Sequence, residues 1–163
     1  MPKTETGLIL RTAQQLMNHH GLIDPDTGNF ATCDGRLDIA AAVYRAVTGK
    51  VPGSFLNDPA YARLLIETNE PVMAALRWVS RVLPSDPPDS DTGDDVIEHL
   101  AGWLATSEPF LGHRRPNTSD VIGVLDRAAR AADATSTLPA QRSTDEPHTA
   151  TAVVRVPHQR HTA

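Results

Sequence analysis

The longest run of helical periodicity in the chain lies between Asp58 and Leu83. Val72, Leu76, Val79 and Leu83 recur at i, i+4, i+7 and i+11, one face of an α-helix. Ala75 and Val82 widen that face, while Arg77, Ser80 and Arg81 fall opposite it. Pro71 sits inside the run. Proline lacks an N–H and clashes with the preceding turn, so it belongs in the first turn of a helix rather than the middle. The run therefore reads as two helices, 58–68 and 70–83, with Thr68-Asn69 supplying a cap between them. Asn57 or Asp58 caps the first, with Pro59 in its opening turn. The second is where the core is expected, centred on Leu76 and Val79.

Shorter helices surround this pair. One is expected from Thr6 to His20, with Ile9, Ala13, Leu16 and Met17 inward and Gly21 ending it. Another spans Leu37 to Thr48, with Ile39, Val43 and Val47 inward and Gly49 ending it. A fifth covers about 94–105, with Val96, Leu100, Trp103 and Leu104 inward. A sixth begins after Asn117-Thr118 and reaches Ala132, burying Val121, Leu125, Ala128 and Ala132. Tyr61, Leu64 and Leu65 are read as the apolar side of 58–68. Residues 22–36 carry turn chemistry in Asp24-Pro25-Asp26-Thr27-Gly28 and Cys33-Asp34-Gly35, and admit a short β-hairpin with Leu22-Ile23 opposite Phe30-Ala31. The expected architecture is mainly α: a compact bundle of five or six helices over residues 6–133, with at most one short hairpin. Residues 134–163 are rich in Thr, Pro and Ala and poor in large apolar side chains, and read as a flexible, disordered tail.

Composition narrows the function classes. Aromatics make up 4% of the chain, which favours a core of Ala, Leu, Val and Ile between close-packed helices. The net charge of −5 disfavours a protein that coats nucleic acid without sequence preference. The single cysteine, Cys33, leaves no internal disulfide and no closed Cys-based zinc site. No apolar run is long enough to span a membrane and no secretory signal opens the chain, so a cytoplasmic location is the default expectation. Arg outnumbers Lys by 13 to 2, a bias of GC-rich bacterial genomes.

Known chemistries find little support. Neither the 89–100 nor the 24–35 segment meets the calcium-loop pattern at its fifth, sixth and twelfth positions. His19 and His20 diverge around their helix, and His99 and Cys33 are isolated, so no metal or cofactor is expected. No nucleophile elbow and no phosphate-cradling glycine loop is present. An enzyme would require a pocket joining His19, His20 or His99 to a carboxylate. The best-supported reading is a non-enzymatic interaction or regulatory module with a protein partner. Its contact candidates are Phe110, Leu111, Arg114 and Arg115 in the 106–116 loop, and Val153, Val154 and Val156 in the tail. The alternative is a DNA-associated accessory protein in which Arg114 and Arg115 grip phosphates beside a helix N-terminus. Asp120 and Asp126 on that helix make it a poor groove reader.

The segment Arg115-Pro116-Asn117-Thr118-Ser119-Asp120-Val121-Ile122-Gly123-Val124-Leu125-Asp126-Arg127-Ala128-Ala129 resembles a group of small uncharacterised actinobacterial proteins, recurrent in Streptomyces and their phages. The resemblance covers roughly residues 7–132. It implies an N-terminal helix ending near Gly, a turn-rich segment, an Ala-rich helix and a closing Thr-capped helix. It implies no activity. The chain departs from the group at Phe110-Leu111-Gly112, where Trp-Asn-Asp usually precedes the last loop. It departs again at Leu37-Asp38-Ile39, where Cys-Leu usually opens the second helix.

Overall fold

A computed structural model describes residues 4–86, 88, 93–107 and 111–136. The described residues form seven α-helices: α1 (Glu5–His20), α2 (Ile39–Thr48), α3 (Ser54–Asn57), α4 (Pro59–Glu67), α5 (Glu70–Val82), α6 (Gly93–Ala105) and α7 (Thr118–Ser136). A 3₁₀ turn, Pro25–Thr27, lies between α1 and α2.

The capping grammar acts where it was expected. Asn69 accepts a hydrogen bond from the Val72 N–H at 3.3 Å and Pro71 stands in the first turn of α5, so the long periodic run does break in two. Asp58 caps α4 by accepting from Tyr61 N–H at 3.1 Å. Gly49 closes α2 in the left-handed region, at φ 81°. Helix α5 is the hub: Val72, Met73, Ala75, Leu76, Val79 and Ser80 are buried, and it touches α1, α2, α4, α6 and α7.

Helices α1 and α7 make the most extensive pairing. Their close approach depends on Gly7. A Cβ there would collide with Asp133 Oδ1 of α7. Asp133 is itself buried, and accepts from the Thr4 N–H at 2.8 Å, the Thr4 hydroxyl at 3.0 Å and the Arg11 guanidinium. The inward line of α1 is therefore Gly7, Leu10, Ala13 and Met17, with Ile9 and Leu16 on its flanks.

Four expectations are corrected. The 22–23 and 30–31 segments do not pair with each other. Leu22 and Ala31 each bridge to Leu37, which donates its N–H to Gly21 O and accepts from Ile23 N–H. Leu37 thus belongs to this turn-rich layer, and α2 starts two residues later behind its cap, Asp38. Helix α3 adds one turn between α2 and α4. Its Phe55 is fully buried, its carbonyl accepts from both Phe30 and Ala31 N–H, and its ring meets Phe30 and Tyr44. On α4 the packed residues are Ala62 and Ile66, with Leu65 partly buried. Tyr61 is 52% and Leu64 51% exposed, so the face is rotated by one position. Helix α7 runs through 134–136, its last turn, and the remainder of the tail lies outside the described residues.

Candidate functional site

Among the described residues, two of the clefts that set polar side chains among apolar walls reach onto α6. The first, about 350 Å³, opens between the end of α5, α6 and the first half of α7. Pro84, Trp103, Leu111 and Val124 supply its apolar surface; Ser119, Asp120 and Arg127 supply its polar rim. The local sequence builds it simply. Asn117 and Asp120 cap α7 reciprocally, Asp120 Oδ2 accepting from Asn117 N–H at 2.8 Å and Asn117 Oδ1 from Asp120 N–H at 3.1 Å. Before them Gly112 (φ 70°) and His113 (φ 59°) both adopt left-handed backbone. That double reversal turns the chain back and delivers Arg114 and Arg115 to the start of α7.

Both arginines are engaged there. Arg114 forks onto Asp120 at 2.6 and 3.2 Å, and this pairing holds the Asp120 carboxyl below its ordinary range. Arg115 reaches Asp26 of the 3₁₀ turn at 2.9 Å, tying the loop to the far side of the sequence. Arg130 pairs with Asp126 one turn along α7. Arg127 differs: its guanidinium borders the cleft with no carboxylate partner among the described residues, and it lies over Gly123, where a Cβ would fall 3.8 Å from its Nη1. Leu111 is half-buried in the wall. Of the sequence candidates, the structure brings Leu111 to this cleft, sets Arg114 on Asp120 behind its rim and sends Arg115 to Asp26. Phe110, Val153, Val154 and Val156 lie outside the described residues.

The second cleft, about 120 Å³, lies between the 3₁₀ turn, the start of α2 and α6. Ile23, Phe30, Ile39, Leu100 and Leu104 line it, with Asn29 and Asp38 as its polar members. Asp38 accepts from Ala41 N–H at 2.6 Å. Burial nevertheless pushes its carboxyl up to about 7, against the pull of the Ala41 and Ala40 amides.

Among the described residues, His20 and His99 gather no acid. His20 contacts the Arg45 guanidinium at 3.0 Å, and burial followed by Arg45 and His19 lowers its pKa. His99 lies between Ser80 Oγ at 2.7 Å and Ser85 Oγ at 2.8 Å, with burial lowering its pKa. Neither cleft is lined by a histidine. Among the described residues no group of three His, Cys, Asp or Glu could hold a metal ion, and no helix is long and apolar enough to cross a membrane.

A model for a family of unknown function, DUF6197, matches residues 1–131. The chain belongs to that family. The match takes in α1 to α6 and most of α7, so both clefts fall inside the DUF6197 region. No curated protein and no solved structure matches the chain. The DUF6197 fold thus comes without an assigned activity. Asp38, Asn29, Trp103 and Arg127 were missed from sequence. Asp38 alone had a signal: an acid placed directly before the unbroken apolar run Ile39-Ala40-Ala41-Ala42-Val43.

Proposed function

We propose that this chain is a non-enzymatic interaction module that grips an acidic, apolar segment of a partner protein in the cleft between Trp103, Leu111 and Arg127. The observation that carries the reading is Arg127, set beside an apolar wall with no carboxylate partner among the described residues, while Arg114, Arg115 and Arg130 nearby are each on one. A partner carboxylate would complete Arg127 as Asp120 completes Arg114, and an aliphatic side chain would fill the space against Leu111 and Val124. Charge complementarity then selects the partner and apolar burial holds it. A cytoplasmic setting and an actinobacterial source belong to the same reading, the latter resting on the 13-to-2 excess of Arg over Lys. The nucleic-acid alternative would have to break the Arg114–Asp120 and Arg115–Asp26 pairs before either arginine met a phosphate.

The test is selection of a random peptide display library on the whole chain and on Arg127→Glu. The wild type should enrich peptides that combine Asp or Glu with Leu, Ile or Val, and the charge reversal should shift the enriched set toward Lys and Arg. No enrichment, or the same set from both proteins, overturns the proposal.

A further inference from the structure

The smaller cleft supports a second, independent site. We propose that the cleft between Asn29, Asp38 and Leu100 binds a small apolar amine, its ring or chain against Ile39, Leu100 and Leu104 and its ammonium on the Asp38 carboxylate. The volume of about 120 Å³ sets the size. An apolar cavity of comparable volume accepts a single benzene-sized body. The walls set the character: from the turn, from α2 and from α6 they are apolar apart from Asn29 and Asp38.

These two set the chemistry. Asp38 Oδ1 accepts from the Ala41 N–H and the Ala40 amide also acts on the carboxylate, whose roughly four acceptor positions leave capacity for the cleft. The Asn29 side chain has no hydrogen-bond partner among the described residues, and its carbonyl can accept a second ammonium proton. A carboxylate in apolar surroundings gains most from a cation that brings its own charge into the same space. Several charged groups of the surrounding elements are engaged elsewhere. Asp24 caps the 3₁₀ turn at Asp26 N–H, Asp26 holds Arg115, Glu98 of α6 holds Arg63, and His99 lies between two serines. No charged side chain contributes to the state of Asp38, which burial and two amides determine. The positive end of α2 opposes a cation, but that end is already capped by this carboxylate.

Because burial holds Asp38 protonated over much of the acid range, the binding-competent fraction grows as pH rises through about 7. The probes are benzylamine, which stays protonated across the range, and benzyl alcohol, which carries the same ring without charge. Amide resonances of residues 38–41 and 97–104 follow binding. Benzylamine should bind about tenfold or more tightly at pH 8 than at pH 5.5, in proportion to the ionised fraction. Benzyl alcohol should bind equally at both. Asp38→Asn keeps the helix cap, since Asn serves as well there, and should remove the preference for the amine together with its pH dependence. Equal binding of the two probes to wild type, no perturbation by either, or an amine preference that survives Asp38→Asn would each overturn the site. None of these results bears on the Arg127 cleft, which is read by peptides.

Discussion

Asp38 and Asp133 are both aspartates in contact with backbone amides, yet their environments push them in opposite directions. Asp38 meets an apolar cleft, and its carboxyl is raised to about 7. The folded state therefore holds that proton more tightly than the unfolded chain does. The contribution is full below the ordinary value of 3.8 and is lost as pH rises toward 7. Asp38→Asn keeps the cap and removes the charge, so it should stabilise the protein at pH 8 and flatten its stability between pH 4 and 7. One pKa unit corresponds to about 1.4 kcal/mol, and solvent contact along the cleft screens part of it, so urea melts should show a gain of about 1–2 kcal/mol at pH 8. Asp133 meets the Thr4 amide, Arg11 and the Thr4 hydroxyl, and its carboxyl is lowered to about 2. Its contribution is full above 3.8 and is lost as pH falls toward 2. Asp133→Asn should melt below wild type at pH 7, with the gap narrowing as the pH of the thermal scan is lowered through 3. A gap of constant size would mean that the carboxylate's charge does not hold α1 to α7.

At the scale of elements, the ends of helices were legible and their faces less so. Caps are local: Asp58, Asn69, Pro71 and Gly49 act within a few residues of their own position, and each does what its side chain dictates. Faces are set by what packs against them. On α4 the large side chains Tyr61 and Leu64 drew the reading, but small Ala62 and Ile66 meet the core. Leu64→Ser should accordingly change stability by no more than about 0.5 kcal/mol, as at other exposed sites. Ile66→Ala should cost about 2–4 kcal/mol through lost burial and the cavity it leaves. Chemical denaturation of the two variants checks the rotation of the face, and the reverse order would restore the one read from sequence. Helix α3 was hidden for a related reason. Its four residues have no periodicity to read, and the two hydrogen bonds onto the Phe55 carbonyl come from residues 24 and 25 positions away in sequence. The same holds for the clefts. Leu111 was visible in an apolar–basic loop, whereas Trp103 and Arg127 join it only once α6 and α7 are packed.

For the whole molecule, α5 is the structural centre and the polar clefts lie at the margins of the bundle. Leu76 is fully buried on the helix that touches five others. Leu76→Asp would place an unpaired charge there and remove a large apolar side chain, a combined penalty comparable to the roughly 5–15 kcal/mol stability of a domain. It should abolish cooperative melting in circular dichroism, and a soluble variant with a sharp transition would show that the core lies elsewhere. The functional claim is carried by Arg127 and its apolar wall. It is tested most directly by titrating the isotope-labelled chain with a blocked Leu-Asp-Leu tripeptide and its Leu-Asn-Leu counterpart, while following the amide resonances of residues 119–127. The acidic peptide should perturb them in wild type, about tenfold more weakly in Arg127→Ala, and the Asn peptide should match that weaker response. Equal responses to the two peptides, or a response to the acidic peptide that Arg127→Ala leaves unchanged, would contradict the account.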